Sequence, residues 1–328
     1  MRARASGPAA RRAWAWARLL GGLSILALLV WQVGTGPFLD GVRGIDRSAL
    51  AAAFGISMLT TVCCAWRWSL VAGVLGVRLP LGRAVAAYYR AQFLNTTLPG
   101  GVAGDVHRAV RHGLDISDVR LAVHAVVAER SIGLAVQVTA TLVLLAVFPS
   151  PVRPYLPPVL AVLVALALGV WLATRALTRT RPAADPARLG GRLRDRLHAA
   201  VAGLRAAPFT RRAWAGIVAA SALGVVGHLV LFLLAARTAG ATAPLTLLVP
   251  LTQLALLAMA LPVSFAGWGP REGVAAWAFG AAGMTATQGV TTAVTYGVLV
   301  LVAALPGAAV LLARTLRPRV ALRGGADV

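Results

Sequence analysis

The sequence predicts an all-α, polytopic membrane protein. Of its 328 residues, 59% are hydrophobic and only 13% are charged, so water cannot be the solvent for most of the folded surface. Uncharged stretches recur along the chain, and about 20 apolar residues suffice to cross a bilayer as a helix. We expect one integral membrane domain over residues 1–328.

The apolar stretches set the number of membrane-crossing helices. They lie at residues 19–35, 48–66, 131–149, 155–174 and 213–236, followed by two longer stretches at 238–270 and 273–313. The last of these contains a final span at about 286–313.

The distribution of arginine predicts the orientation, because positive charge is retained on the cytoplasmic side. The N-terminal tail is basic, whereas the loop at 36–47 balances Asp40 and Asp46 against two arginines. Residues 78–120 are again basic, and residues 175–212 carry ten arginines against two aspartates. Both termini are therefore predicted to be cytoplasmic.

The net charge of +22 does not indicate nucleic acid, because the arginines collect between apolar runs, as in cytoplasmic loops. All 32 basic residues are arginine, which excludes a Walker loop and Schiff-base chemistry, since both need lysine. The five histidines lack the spacing of metal ligands. We predict no cofactor and no metal.

The arginine-rich loop at 175–212 contains an amphipathic pattern. Apolar side chains recur at helical spacing, at Leu189, Leu193, Leu197, Val201 and Leu204. An interfacial helix on anionic lipid and a solvated loop helix both account for this pattern.

Two apolar segments are interrupted by proline and glycine, at residues 88–110 and 254–277. Each runs from an apolar helix through Leu-Pro and a glycine-containing break to an acidic residue that opens a new helix. Backbone groups freed at such breaks must face protein or a wet cavity, and paired breaks in two halves of a chain point to a transporter's binding site. The sequence predicts six full spans plus two re-entrant hairpins forming an inverted repeat, with eight full spans as the alternative.

Charged residues near the breaks are the candidate site. Asp105 is expected to cap the helix that follows it, with Arg108 one turn on, while Glu272 favours the positive end of the helix that begins near Pro270. Glu129 and Arg130 lie within an apolar pattern, where ionisable groups are functional candidates that need a partner, such as Arg108 or Arg271.

Neutral groups in the first break complete a predicted path for a lipid head group. Asn95, Thr96 and Thr97 offer hydrogen bonds, and arginines facing a groove would hold a phosphate. Arg67, between Trp66 and Trp68, is expected to snorkel to the inner interface. The full predicted path comprises Asn95, Thr96, Thr97, Gly100, Gly101, Gly104, Asp105, Arg108, Glu129, Arg130, Arg271 and Glu272.

Several of these pieces occur together in a known family. They are RW at 67–68, LGVRLPL at 75–81, FLNTTLPGGVAGDVHR at 93–108, ER at 129–130 with Gly133, LPVSFAGWGPREG at 261–273, and the stretch 296–307. In this order they resemble the flippase-like membrane domain found at the N-terminus of lysylphosphatidylglycerol synthases and in stand-alone bacterial and archaeal proteins.

The resemblance implies a multi-span domain with re-entrant helices that translocates aminoacylated phosphatidylglycerol or handles other lipid or polyprenyl-phosphate intermediates. Membrane lipids are then the expected partners, with a separately encoded lipid-modifying synthase as a further one. The synthase members carry a soluble aminoacyl-transferase domain after the membrane domain, whereas this sequence ends at Val328. Lysyl transfer is therefore not expected, and we expect a transporter and not an enzyme.

Two other functions fit the sequence. A membrane glycosyltransferase with a polyprenyl-phosphate donor would use Asp40 and Asp46 in the first outer loop, although that loop is short. The other is a non-transporting scaffold of a lipid-synthesis complex, which co-purification of a fixed synthase would favour.

Overall fold

The computed structural model describes residues 34–98, 101–151, 153–155, 210–260 and 268–315, with isolated helical positions between 20 and 32 and between 157 and 172. These residues fold almost entirely into helices. The helices are α1 Gly36–Arg43, α2 Arg47–Val74, α3 Leu81–Thr97, α4 Ala103–Asp115, α5 Val119–Val147, α6 Arg211–Thr238, α7 Leu245–Ala258, α8 Pro270–Ala281, α9 Ala286–Ala303 and α10 Leu305–Thr315.

Four helices within the described ranges are long and apolar enough to cross a membrane. They are Arg47–Val74, Val119–Val147, Arg211–Thr238 and Ala286–Ala313, the last formed by α9 and α10 together. A helix of 28 residues extends about 42 Å, against a hydrocarbon core of about 30 Å. These helices confirm the predicted spans at 48–66, 131–149, 213–236 and 286–313. The predicted spans at 19–35 and 155–174, and the arginine-rich residues 175–209, lie outside the described ranges.

The second long helix differs from its prediction, because it begins at Val119 and not at residue 131. The charges of Glu129 and Arg130 interrupt the apolar pattern but not the helix. Asp118 marks the true start, since its carboxylate accepts a hydrogen bond from the Leu121 N–H at 2.9 Å. Side-chain caps also begin the other three long helices, at Asp46, Thr210 and Thr285.

The interrupted segments form two pairs of short helices. In the first hairpin, α3 and α4 have 17 and 13 residues, and in the second hairpin, α7 and α8 have 14 and 12. These helices extend about 18 to 26 Å, which is less than the hydrocarbon thickness. The two helices of each hairpin pack on each other. Their lengths favour the re-entrant prediction over eight full spans.

Glycines show that the two halves are inverted. Three glycines of α6 lie against α2 in reversed order: Gly227 against Thr60, Gly224 against Cys64, and Gly216 against Leu70. The helices α2 and α6 are therefore antiparallel, and each opens a unit of long helix, hairpin and long helix. Small residues at the crossing let the two backbones approach closely, as is common between membrane helices. The predicted inverted repeat thus matches the order and direction of these helices.

The repeat also sets equivalent positions. Asp105 and Glu272 are each the third residue of the second hairpin helix, and Glu129 and Tyr296 each lie ten residues after the first residue of a long helix.

The buried apolar core is also divided between the two units. One apolar cluster around Trp68 joins α2 to α5, and another around Tyr296 joins the second unit to α2.

The first hairpin depends on the absence of a side chain at Gly104. A Cβ there would overlap the backbone of Ala91 on α3, so we expect Gly104→Ala to force the two helices apart and lower the stability by at least about 1 to 3 kcal/mol. Gly82→Ala on α3 is the matched control, because a Cβ at Gly82 meets open space. Thermal unfolding in detergent should show a lower midpoint for Gly104→Ala than for the wild type, and no decrease of the midpoint for Gly82→Ala. Equal midpoints would contradict the close packing of the hairpin.

Candidate lipid head-group site

Glu129 is the centre of a buried ionic cluster. Its side chain has no exposed surface, although it lies on a membrane-spanning helix. One carboxylate oxygen accepts hydrogen bonds from the Arg67 guanidinium, with Nε at 2.8 Å, and from the Tyr88 hydroxyl at 3.0 Å. The other oxygen accepts from Arg108. Both oxygens of this carboxylate accept hydrogen bonds from protein donors, which is the condition for burying a charge.

Asp105 extends the cluster towards the surface. Its carboxylate accepts hydrogen bonds from Arg108 Nε at 2.9 Å, from Arg130 Nη2 at 2.7 Å and from Asn95 Nδ2 at 3.3 Å. The Asn95 amide oxygen accepts from the Gly104 N–H at 2.8 Å, which ties the end of α3 to the start of α4. Five charged side chains from α2, α4 and α5 therefore form one connected network, Arg67, Glu129, Arg108, Asp105 and Arg130.

Arg108 is enclosed by aromatic rings as well as carboxylates. Its guanidinium carbon lies 4.7 Å from the Trp68 ring centroid and 4.5 Å from that of Tyr88. The electron-rich faces of these rings stabilise a cation that has left water. Trp68 is completely buried, so its indole contributes to the packing of these helices.

The prediction for Arg67 was wrong. The side chain does not snorkel to the interface but is 8% exposed and paired with Glu129. A carboxylate buried in the same bilayer offers a stronger partner than the distant interface, because Coulomb attraction increases as the dielectric constant falls. Gly133 makes room for this arrangement, since a Cβ there would meet the Arg67 guanidinium at 2.8 Å.

The second hairpin carries a smaller version of the same arrangement. Arg271 pairs with Glu272, with Nε 2.9 Å from Oε1, and the Gly269 N–H donates to Oε2 at 2.6 Å. The Arg271 guanidinium carbon lies 5.1 Å from the ring centroids of both Trp268 and Tyr296. Glu272 lies in the first turn of α8, where the helix dipole favours its charge, as expected from the sequence.

A cavity of about 700 Å³ lies between the two hairpins. Polar groups from both units line it, including Arg67, Asn95, Asp105, Arg130, Gln137, His228, Arg271 and Tyr296. His228 Nδ1 lies 2.9 Å from the Tyr296 hydroxyl, and Gln137 donates to the Gln253 amide oxygen at 3.0 Å. The volume is sufficient for a phosphate-bearing head group.

The other side of the cavity is apolar. Its lining includes exposed side chains of α4 and α5 and the end of α7, namely Val106, Val110, Val123, Val127 and Met259. The valines of each helix are four residues apart and therefore lie on one face. The cavity is amphipathic, with guanidinium groups on one side and aliphatic groups at its exposed margin.

The structure separates the predicted path residues into groups. Asn95, Thr96, Gly101, Asp105, Arg130 and Arg271 line the cavity. Arg108, Glu129 and Glu272 are buried behind it and bonded to lining residues, Gly104 is a packing contact, and Thr97 is exposed outside the lining. Gly100 lies outside the described residues.

Two predicted contacts differ from the structure. Asp105 does not cap α4, because that helix has no side-chain cap and the carboxylate is engaged by arginines and Asn95. Of the two partners suggested for Glu129 and Arg130, Arg108 is correct, whereas Arg271 pairs within its own hairpin. The hydroxyls of Thr96 and Thr97 donate to carbonyl oxygens of the preceding helical turn.

The sequence analysis missed several polar lining residues, notably Ser57, Thr60, Gln137, His228 and Tyr296. Each is a polar residue inside a long apolar helix. Because such groups must find partners or water in a membrane, their presence alone was a usable signal.

Asp46, a candidate of the glycosyltransferase hypothesis, has a structural role. Its carboxylate accepts hydrogen bonds from the Ala49 N–H at 2.7 Å and from the Ser48 hydroxyl at 2.9 Å, at the start of α2. These bonds lower the pKa of Asp46 below its ordinary value, the one to Ala49 most strongly. The cap is therefore present at neutral pH and is lost as the pH falls through that pKa. Within the described ranges there is no group of three or more metal-ligating side chains.

The chain matches a known protein family. A family model described as "Lysylphosphatidylglycerol synthase TM region" matches residues 15–307, which is most of the chain and includes both hairpins. No curated protein matches the sequence. The match confirms the resemblance seen in the sequence motifs.

Removing the charge of Glu129 should destabilise the protein strongly. Glu129→Gln leaves Arg67 and Arg108 buried beside a neutral amide, and breaking a buried ion pair costs about 3 to 5 kcal/mol. The control is Asp118→Asn on the same helix, because asparagine caps about as well as aspartate. Thermal unfolding in detergent should give a much lower midpoint for Glu129→Gln than for Asp118→Asn. Similar midpoints would show that Glu129 does not hold the arginines in place.

Proposed function

Because the chain belongs to the family of the lysylphosphatidylglycerol synthase transmembrane region, we propose that it translocates a lipid with an anionic head group across the bacterial cytoplasmic membrane. The lipid is an anionic phospholipid or a polyprenyl phosphate. The head group passes through the cavity between the two hairpins, while the hydrocarbon chains remain in the bilayer. The observation that carries the proposal is the amphipathic cavity with Arg130 exposed inside it.

The polar side of the cavity suits a phosphate. Arg130 lies on a spanning helix, yet its side chain is 48% exposed, and a guanidinium matches the geometry of phosphate oxygens with paired N–H donors. Arg67 and Arg271 also line the cavity, but both are nearly buried and held by carboxylates. Arg130 is therefore the residue that we assign to first contact with the head group.

The apolar margin suits the rest of the lipid. A soluble anion would need a polar entrance, whereas aliphatic side chains at Val106 and Val127 are more than half exposed at the edge of this cavity. Such an edge keeps acyl chains in a hydrocarbon environment while the head group contacts arginine. This combination supports a lipid over a free phosphate compound.

The inverted repeat supports transport of the lipid across the membrane, as opposed to binding alone. Transporters built from inverted repeats bind their substrate near the middle of the bilayer, at broken helices of the two halves. Here the tips of both hairpins, around Gly101 and Met259, line one cavity. In this proposal a separately encoded lipid-modifying synthase supplies the lipid, and the protein itself performs no bond chemistry.

Arg130→Gln should slow the translocation. The change removes the exposed positive charge but retains a polar side chain that forms hydrogen bonds, and we expect transbilayer movement of an anionic lipid to fall by at least about tenfold. The measurement is chemical quenching of acyl-labelled phosphatidylglycerol in proteoliposomes. Arg120→Gln is the control, since Arg120 is exposed on the same helix and does not line the cavity.

The wild-type protein should accelerate the movement above that in protein-free vesicles, and Arg120→Gln should match the wild type. If the wild-type protein moves neither phosphatidylglycerol nor a polyprenyl phosphate, the proposal is contradicted. Co-purification of a synthase with a protein that moves no lipid would favour the scaffold hypothesis instead.

A further inference from the structure

We propose that the cavity selects a head group that carries a phosphate and no ammonium group, and that it discriminates against cationic aminoacylated lipids. This inference rests on the proposed function and specifies the substrate class of the same site. It follows from the number of charges around the cavity, from the occupancy of its carboxylates and from the free donors of Arg130.

The charges around the cavity do not balance. The ion pairs described at the cavity contain four guanidinium groups, from Arg67, Arg108, Arg130 and Arg271. Three carboxylates, from Asp105, Glu129 and Glu272, neutralise three of them. One net positive charge remains, and protonation of His228 would only increase it.

None of the three carboxylates is available to a cationic ligand. Glu129 and Glu272 have no exposed side-chain surface, and both oxygens of each accept hydrogen bonds from protein donors. Asp105 is 15% exposed, but two arginines and Asn95 surround its carboxylate. An ammonium group entering the cavity would therefore meet guanidinium groups and no free acceptor charge.

Arg130, in contrast to the carboxylates, has hydrogen-bonding groups that remain available to a ligand. Its guanidinium has five N–H donors, and a single nitrogen, Nη2, is bonded to Asp105 in the described part of the chain. The exposed remainder of the side chain leaves donors for a ligand on the cavity side. The site thus offers donors and positive charge to a phosphate, and no free carboxylate to an amine.

Because lipid head groups differ in charge, a positively charged cavity would select among them. Phosphatidylglycerol carries one negative charge, on its phosphate. Esterification with lysine adds two ammonium groups, so the head group becomes net positive and repels a cavity of the same sign. Phosphatidylethanolamine, with one phosphate and one ammonium, is net neutral and lies between them. A polyprenyl phosphate shares the anionic chemistry of phosphatidylglycerol on a different hydrocarbon.

The test compares four lipids in the same proteoliposome assay, each with the label on the hydrocarbon so that the head group is native. The lipids are phosphatidylglycerol, phosphatidylethanolamine, lysylphosphatidylglycerol and a polyprenyl phosphate. We expect phosphatidylglycerol, the polyprenyl phosphate or both to move on the order of tenfold faster than lysylphosphatidylglycerol. Whichever of the two anionic lipids moves faster identifies the hydrocarbon carrier.

Variants test the origin of the selectivity. Arg130→Gln makes the cavity neutral, so the ratio of the rates for the anionic and the lysylated lipid should fall towards one, whereas Arg120→Gln should retain it. Equal rates for anionic and lysylated lipids in the wild type, or an unchanged ratio in Arg130→Gln, would overturn the inference and leave translocation intact. Acceleration of no lipid at all would instead overturn the proposed function.

Discussion

The structure depends on a carboxylate buried where no water can reach it. Glu129 lies on a spanning helix with no exposed surface, and α2 and α4 each direct an arginine at it that compensates its charge. The need to pair this carboxylate also fixes the positions of neighbouring groups. It positions α4, and therefore the first hairpin, against the two long helices of its unit, and it makes Arg108 hold Asp105, which in turn orients Arg130.

A buried ion network of this kind fixes geometry more than it adds net stability. Desolvation offsets most of the Coulomb attraction, whereas the loss of one partner leaves an uncompensated charge. Each arrangement of the first hairpin that separates Arg108 from Glu129 is therefore strongly disfavoured. Aromatic contacts reinforce the choice, because Trp68 and Tyr88 cover the faces of the same guanidinium. The second unit lacks an equivalent carboxylate and has Tyr296 at that position, so its hairpin is held by fewer charges.

Hydropathy was sufficient to predict the long helices, and the positions of proline and glycine were sufficient to predict the hairpins. Both signals are local in the sequence. The partners within the site are not local. Arg67 and Glu129 are separated by 62 residues, and a local pattern favoured the interface for Arg67 since it lies between two tryptophans. Asp105 had the sequence context of a cap, but its carboxylate accepts hydrogen bonds from two other helices, from Asn95 of α3 and Arg130 of α5. The polar positions of α6 and α9 went unnoticed because single polar residues barely change the hydropathy of a long helix.

The exclusive use of arginine in the network has a consequence for the conditions under which the cavity works. A guanidinium keeps its proton throughout the physiological range of pH, unlike an amine whose proton is readily lost in an apolar environment. The sign of the cavity is therefore a constant of the covalent structure. With such a cavity, acidification of either face of the membrane would not invert the proposed preference for anionic head groups.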